Sequence, residues 1–282
     1  MPKPIDRTIE AGGIGTHYLE AGSGRPVVLL HSGEFGGSAR LSWELVIRGF
    51  AVHYRVLAPD WLGYGETEKL YDFSRRGARR IDHIGDFLAA LGIEEAAFVG
   101  NSMGGSILAR VAASNSPVWP ISAIVLISGG GFVPDNPERQ TLLDYDCTVD
   151  GMRRMLEVLF RDPRWAADEE YVRRRYESSI VPGAWECAAA ARLRSPFLGP
   201  QREFGQPDTT EYELISVPTL LVAGANDVLR LPGYADELQA RIRGSRLHTY
   251  EDCGHMPNIE QAPRLETDVL DFLLEVYPPT SA

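Results

Sequence analysis

The sequence predicts an α/β fold in which a doubly wound, mostly parallel sheet is interrupted by a block of helices. The first observation is that short apolar runs alternate with amphipathic helical segments over residues 1–130, with short links between them. Such alternation is typical of a parallel sheet that is covered by helices on both faces. The second observation is that this alternation stops after residue 130 and resumes near residue 218. The chain is therefore predicted to be a sheet domain that carries a helical insertion.

Residues 1–130 are predicted to form the first part of the α/β core. Segments 7–11 and 16–21 flank a Gly-Gly pair and predict a β-hairpin at the edge of the sheet. Continuous apolar runs predict strands that are covered on both faces, and these runs lie at residues 27–30, 55–58, 96–99 and 123–127. Helical periodicity predicts helices at residues 43–47, 79–91 and 106–112.

Residues 131–212 are predicted to form a helical lid over the carboxyl ends of the strands. Three helical segments, separated by prolines, occupy residues 149–160, 168–179 and 184–193. Residues 213–282 are predicted to complete the core, and their elements are strands at 218–224 and 246–251 and helices at 234–242 and 265–276. The expected organisation is therefore core, lid and core along the chain.

Composition and charge restrict the partners and the location. The 282 residues suffice for one large domain with an insertion, and a net charge of −11 argues against nucleic acid or an anionic membrane as a partner. Most of the arginines that cluster at residues 74–80 and 172–175 are interpreted as parts of solvated helix faces. No apolar run reaches the roughly 18 residues of a membrane span, and the amino terminus lacks the apolar centre of a signal peptide. Three cysteines at no metal-like spacing argue against a disulfide framework, so we expect a cytoplasmic protein.

The stretch Gly100-Asn101-Ser102-Met103-Gly104 lies between a predicted strand and a predicted helix. In this setting Gly-x-Ser-x-Gly is typical of a nucleophile elbow, a tight turn that exposes the serine hydroxyl above the edge of the sheet. Glycines flank the serine because neighbouring backbone comes close enough to exclude a Cβ. A plain turn that happens to contain a serine would have the same five residues, so the rest of the chain must decide.

Serine needs a base to remove its proton and a third group to orient that base. Asp227 directly follows the predicted strand at 218–224, and His255 follows the strand at 246–251. Both therefore lie at the same edge of a parallel sheet as Ser102, and the order Ser, Asp, His is the one expected for this architecture. An Asx turn at Asp227 and a loop histidine at His255 are the alternatives. His31 is interpreted as a structural histidine because it precedes the serine.

Two backbone N–H groups are expected to form an oxyanion hole. One belongs to Met103, the residue after the nucleophile, and the other to the glycine-rich loop after the strand at 27–30, where Gly33 is the best candidate. Glu34 is unexpected in this loop, because a carboxylate would disfavour a developing oxyanion unless it turns away.

With these residues in place, the chain resembles the α/β-hydrolase superfamily. The motifs that carry the resemblance are His31-Ser32-Gly33, Asp60-x-x-Gly63-x-Gly65, the elbow around Ser102, Gly224-x-x-Asp227 and Gly254-His255. A serine in the elbow separates the chain from haloalkane dehalogenases and epoxide hydrolases, which resemble it but carry aspartate there.

Within the superfamily the chain is most similar to the meta-cleavage product hydrolases, which cleave a carbon–carbon bond in 2-hydroxy-6-oxo-dienoates. Asn101 before the nucleophile and the run Arg174-Arg175-Tyr176-Glu177 carry this similarity. The resemblance implies that Arg175 binds the substrate carboxylate and that Asn101 and Met256 contribute to substrate binding. The chain departs from the family at Met256, where a tryptophan is usual, and in the loop 31–36, which is usually richer in glycine.

The sequence therefore predicts a serine hydrolase of the carbon–carbon type, with a carboxylesterase or lactonase as the alternative and a ligand-binding protein as the second. A small-molecule substrate is expected, no metal or organic cofactor is required, and a homodimer is possible. Lid aromatic residues are candidate walls of the pocket, although most of them are expected to form the core of the lid; they are Trp165, Tyr171, Tyr176, Trp185 and Phe197.

Overall fold

A computed structural model describes residues 1–73, 76–190 and 204–280 of the chain. Over these residues the fold is built around one sheet of eight strands. The strands are β1 (Ile5–Ala11), β2 (Ile14–Ala21), β3 (Pro26–Leu30), β4 (Arg55–Pro59), β5 (Ala96–Asn101), β6 (Ile121–Ile127), β7 (Thr219–Gly224) and β8 (Arg246–Tyr250). Their order in the sheet is β1-β2-β4-β3-β5-β6-β7-β8.

The sheet is mostly parallel, as the sequence predicts. The hairpin β1–β2 lies at one edge and pairs antiparallel with β4, while all pairs from β4 to β8 are parallel. The carboxyl ends of β3, β5, β6, β7 and β8 therefore meet at one edge of the sheet, which is where open α/β sheets bind ligands.

Helices cover both faces of this sheet. The helices of the core are α1 (Ala39–Trp43), α2 (Ile47–Phe50), α3 (Arg76–Ala90), α4 (Met103–Ala112), α10 (Tyr234–Arg241), α11 (Pro257–Glu260) and α12 (Ala262–Val276). Strand β3 illustrates why its residues are continuously apolar: Val28 and Leu30 belong to the apolar cluster on one face, and Val27 and Leu29 to that on the other. All four side chains are fully buried, and each such burial is worth roughly 1.5–3 kcal/mol.

In the part of the chain that the structure describes, five α-helices lie between β6 and β7, where the sequence predicts the lid. They are α5 (Pro137–Leu143), α6 (Val149–Leu159), α7 (Arg164–Ala167), α8 (Glu169–Ser179) and α9 (Ala184–Ala189). Rings of Phe160, Trp165 and Tyr171 pack together in this block, with centroids 4.9–5.9 Å apart. The boundaries at residues 131 and 212 stay predictions. None of the helices in the described part of the chain combines the length and the apolar character that crossing a membrane requires.

The helix predicted at residues 43–47 is interrupted. Helix α1 ends at Trp43 and α2 begins at Ile47, and the Val46 N–H donates to the Trp43 carbonyl at 3.0 Å, a spacing of three residues that leaves the α-helical path. Apolar periodicity continues across this turn because Trp43 and Ile47 are both buried. The short helices α5, α7 and α11 are not predicted, since each spans too few residues for a periodic signal. The predicted helix at 184–193 is observed as α9, and its end lies outside the described residues.

Candidate active site

Ser102 lies in a strained turn between β5 and α4. Its backbone is left-handed, with φ 51°, a conformation that costs a residue with a side chain free energy, and its N–H donates to the Ile127 carbonyl at 2.8 Å. A Cβ on Gly104 would lie 2.3 Å from the Leu30 carbonyl oxygen, and one on Gly100 would lie 2.6 Å from the backbone of Gly104. The glycines of the elbow are therefore required by the close approach of β3, β5 and α4.

The structure brings Ser102, His255 and Asp227 together. The Ser102 hydroxyl and His255 Nε2 are 2.7 Å apart, and His255 Nδ1 and Asp227 Oδ2 are also 2.7 Å apart. Asp227 Oδ1 accepts a further hydrogen bond from the Leu229 N–H at 3.0 Å, which fixes the carboxylate. With Nδ1–H donating to the carboxylate, Nε2 is left as the acceptor for the serine hydroxyl. This arrangement can transfer the serine proton to the imidazole.

Burial sets the protonation of this group. Desolvation of the fully buried imidazole outweighs the pull of Asp227, so the pKa of His255 lies below its usual 6.5 and the ring is neutral at pH 7. Burial opposes the ionisation of Asp227, but His255 and Arg230 outweigh it and hold the pKa of this carboxyl below its usual value. A neutral imidazole beside a carboxylate is the state that a general base requires.

The loop that carries His255 is fixed to the helical block between β6 and β7. The His255 N–H donates to the Leu159 carbonyl at 2.9 Å. The Glu260 carboxylate accepts from the Gly254 N–H at 2.7 Å and from the N–H groups of Arg161 and Asp162 at 2.8 and 3.1 Å. Hydrogen bonds therefore join the end of α6 and the turn after it to the loop that carries His255.

Gly33 and Met103 adjoin one another next to Ser102. A Cβ on Gly33 would lie 2.6 Å from Met103 Sδ, and the Gly33 carbonyl accepts from the Tyr64 hydroxyl at 2.9 Å. Met103 is the first residue of α4, so its N–H has no acceptor within the helix. Gly33 and Met103, the two predicted oxyanion donors, thus lie on neighbouring backbone segments, and both line the same cavity as Ser102.

A cavity of about 380 Å³ opens above Ser102 and His255. Part of its wall is apolar and consists of Val133, Leu142, Leu143, Leu159 and Leu229. Of the lid aromatics named as candidate pocket walls, Tyr171 packs in the apolar cluster and Trp165, Tyr176 and Trp185 pack against it, as expected for most of them. Phe197 lies outside the described residues. This volume suits a small organic substrate.

The structure does not bring Arg175 to this cavity. Its guanidinium is fully buried, with Nη1 donating to Glu34 Oε1 at 2.5 Å and Nε and Nη2 donating to the Tyr171 hydroxyl at 3.1 and 3.0 Å. Glu34 lies between Arg175 and the cavity. Because Arg175 pairs with this carboxylate, a negative charge is tolerated in the loop that carries the predicted oxyanion donor Gly33. Burial opposes ionisation of Glu34, but Arg175 outweighs it and keeps the pKa of this carboxyl below 4.5. The guanidinium is thus already paired with a buried carboxylate, and its role as a ligand of a substrate carboxylate stays a prediction.

Asn101 and Met256 adjoin Ser102 and His255 in the chain, and both are fully buried. The Asn101 amide donates to the carbonyls of Ile127 and His255 at 3.3 and 3.4 Å, which ties the elbow to the histidine loop. Met256 is fully buried in the apolar cluster. Neither residue is part of the cavity lining, and a role of both in substrate binding stays a prediction.

His31 has the structural role that the sequence suggests. Its Nδ1 lies 2.6 Å from the Ser32 carbonyl oxygen, and its Nε2 accepts from the Trp61 N–H at 3.1 Å. Both ring nitrogens are therefore hydrogen-bonded to backbone groups. In the described chain, one group could offer three ligands to a metal, Asp6, His17 and Glu66. Arg40 already binds the Asp6 carboxylate, and no metal site is inferred there.

Four arginines that the sequence reasoning missed line the cavity: Arg80, Arg110, Arg139 and Arg230. Most arginines of the two clusters are interpreted as solvated, and Arg79 is exposed, whereas Arg80 is only 6% exposed and Arg175 is fully buried. The period of α3 offers a signal, because Arg80, Ile84, Phe87 and Leu91 follow one another at helical spacing.

Comparison with known proteins identifies the family. The alpha/beta hydrolase family profile matches residues 27–267. The chain is 31% identical to a 2-hydroxy-6-oxo-6-(2'-aminophenyl)hexa-2,4-dienoic acid hydrolase of Metapseudomonas resinovorans, covering 95% of this chain and 91% of that protein. It is 33% identical to a 2-hydroxymuconate semialdehyde hydrolase of Pseudomonas sp. strain CF600, covering 96% and 94%. A solved variant of the meta-cleavage product hydrolase CumD from Pseudomonas fluorescens IP01 is 30% identical, with a TM-score of 0.84 and coverages of 95% and 97%. The chain therefore belongs to the alpha/beta hydrolase family.

Proposed function

We propose that this protein hydrolyses a carbon–carbon bond in a 2-hydroxy-6-oxo-dienoate. The observation that carries the proposal is the hydrogen-bonded series Ser102, His255 and Asp227 in a chain whose relatives, at about 30% identity over nearly their full length, are dienoate and semialdehyde hydrolases. A cavity of suitable volume above the serine supports it further.

In this proposal Ser102 is the nucleophile and His255 is the base. His255 takes the hydroxyl proton through Nε2 while Asp227 holds the ring in the required tautomer. The N–H groups of Met103 and Gly33 stabilise the oxyanion that forms on the attacked carbonyl. Glu34 does not oppose this charge strongly, because its own charge is compensated by Arg175 at 2.5 Å.

Cleavage of a carbon–carbon bond requires a place for the bonding electrons. The proton of the 2-hydroxyl group first moves to C5, which gives a 2,6-dioxo tautomer. Ser102 then attacks C6, and the C5–C6 bond breaks with its electron pair delocalised over C5 to C2 and the oxygen on C2. Protonation of that dienolate releases 2-hydroxypenta-2,4-dienoate, and water hydrolyses the acyl ester on Ser102 to a carboxylic acid. The apolar wall of Leu142, Leu143 and Leu229 suits the substituent on C6.

The experiment is a turnover assay with 2-hydroxy-6-oxohepta-2,4-dienoate beside p-nitrophenyl butyrate. We expect hydrolysis of the dienoate, and a loss of at least about 10⁴-fold in kcat for Ser102→Ala. Ser114→Ala is the matched control, because it removes the same hydroxyl from an exposed position just beyond α4 and should retain full activity. Dienoate turnover by Ser102→Ala would refute the role of the serine. Hydrolysis of the aryl ester without the dienoate would refute the carbon–carbon reaction and favour the esterase alternative.

A further inference from the structure

The predicted oxyanion donor Gly33 is held by hydrogen bonds on both of its peptide groups. A glycine has no side chain to restrain it and can adopt many backbone conformations. The peptide that joins Ser32 and Gly33 is bound through the Ser32 carbonyl, which lies 2.6 Å from His31 Nδ1. In a trans peptide the N–H points away from the C=O, so this bond sets the direction of the Gly33 N–H. The next peptide is bound through the Gly33 carbonyl, which accepts from the Tyr64 hydroxyl at 2.9 Å.

We propose that Tyr64 is a positioning residue of the oxyanion hole, an inference that rests on the proposed function. Its hydroxyl fixes the carbonyl side of Gly33 and so keeps the Gly33 N–H aligned with that of Met103. Without this bond, rotation about the two backbone dihedral angles of Gly33 would be restrained from one side only. The oxyanion would then lose part of the stabilisation that preorganised donors supply.

The turn that carries Tyr64 places its ring against this loop. Gly63 and Gly65 on either side have φ values of 86° and 48°, which glycine adopts without strain. Tyr64 is 6% exposed, lines the cavity, and packs edge-to-face against the His31 ring with centroids 5.5 Å apart. Its N–H donates to the Trp61 carbonyl at 2.8 Å. The hydroxyl therefore belongs to a side chain whose backbone and ring are both fixed by their surroundings.

Two other roles for this hydroxyl make different predictions. A hydroxyl that only stabilises the fold would contribute to the free energy of unfolding and leave the kinetic constants unchanged. A hydroxyl that contacts the substrate directly would contribute to the binding of the ground state. A positioning role affects only what depends on the oxyanion, which is kcat/KM and the affinity for a compound that forms an oxyanion on Ser102.

The test variant is Tyr64→Phe, which removes the hydroxyl and keeps the ring. We would measure kcat/KM for p-nitrophenyl butyrate and for 2-hydroxy-6-oxohepta-2,4-dienoate. We would also measure the inhibition constant of 1,1,1-trifluoroheptan-2-one, because the Ser102 oxygen can add to its carbonyl carbon to give an oxyanion while the hydroxyl proton passes to His255 Nε2.

Both kcat/KM values should fall, and the inhibition constant should rise, by about 10-fold. This factor is near the upper end of what one neutral hydrogen bond contributes, and it lies below the loss of about 10²- to 10³-fold for removal of a whole oxyanion donor. In the Ser102→Ala protein, which binds the dienoate without turning it over, adding Tyr64→Phe should change the Kd by less than about 2-fold.

Tyr54→Phe is the matched control. Tyr54 is also buried, and its hydroxyl donates to the Tyr277 carbonyl at 3.0 Å within the apolar cluster on the opposite face of the sheet. Its loss should lower the free energy of unfolding, measured with urea, about as much as Tyr64→Phe does. It should leave kcat/KM and the inhibition constant unchanged.

Unchanged kcat/KM values and an unchanged inhibition constant in Tyr64→Phe would overturn the proposal. A rise in the Kd of the dienoate that accounts for the whole loss would also overturn it, in favour of a direct contact with the substrate. In either case, wild-type turnover of the dienoate would leave the proposed function intact. If the wild-type protein hydrolyses the ester and not the dienoate, the proposed carbon–carbon reaction fails, whereas 10-fold changes in the ester and ketone measurements would still support the role of Tyr64.

Discussion

Removing one partner of the buried pair Glu34–Arg175 should destabilise the protein far more than removing an exposed pair. Loss of one buried charge leaves the other unpaired, which costs about 3–5 kcal/mol. At about 2.1 cal/mol/K per residue, the 282 residues give an unfolding entropy of about 0.6 kcal/mol/K. Arg175→Met or Glu34→Gln should therefore lower Tm by about 5–8 °C. Arg154→Met breaks a pair with Asp146 whose side chains are about half exposed, and it should cost less than about 1 kcal/mol.

The assay is urea unfolding of both single variants, the double variant and the control, with calorimetry for Tm. The double variant should lose less than the sum of the two single losses, because it contains no unpaired charge. The pair's contribution is present above the unfolded pKa of Glu34, near 4.5, and is lost as the pH falls through its lower folded value. Additive losses, or single losses below about 1 kcal/mol, would refute the assignment of a strongly coupled pair.

Two further predictions concern the base and the elbow. His255 acts as a base only when it is neutral, and burial lowers its pKa. A plot of kcat/KM against pH should therefore fall on the acid side with a midpoint below 6.5 and stay level above pH 7. A midpoint above 7 would contradict this prediction. Gly104→Ala places a Cβ 2.3 Å from the Leu30 carbonyl oxygen, so expression should yield little folded protein, as judged by circular dichroism. Gly85→Ala is the control inside α3, where the nearest atom is 3.9 Å away, and it should be neutral or stabilising by up to about 1 kcal/mol. A well-folded Gly104→Ala protein would show that the elbow tolerates a side chain.

The elements that the sequence predicts well are those whose signal is local. Strands such as β3 are apolar at every position because both faces are covered, and the runs mark them directly. The meeting of Ser102, Asp227 and His255 follows from topology, since residues at the carboxyl ends of parallel strands share one edge of the sheet. These inferences need no knowledge of side-chain packing.

The polar residues of the cavity could not be assigned in this way. Glu34 and Arg175 are 141 residues apart, and nothing local in either segment indicates that one neutralises the other. Arg79 and Arg80 are adjacent and chemically identical, yet only the packing of α3 against the cavity separates an exposed charge from a buried one. The role that a similar motif implies for Arg175 stays a prediction. The homodimer and the cytoplasmic location stay predictions.

The hydrogen bonds between α6 and the histidine loop have a consequence for protein engineering. Lids are attractive units to exchange between related enzymes, because they contribute walls of the cavity. Here the Leu159 carbonyl accepts from the His255 N–H, and the N–H groups of Arg161 and Asp162 donate to the Glu260 carboxylate, which also accepts from the Gly254 N–H. These residues therefore support the loop of the base although they lie within the insertion. A chimera in which residues 159–162 are replaced would keep His255 but lose the hydrogen bonds that fix its loop. Grafts should therefore take only residues beyond this segment.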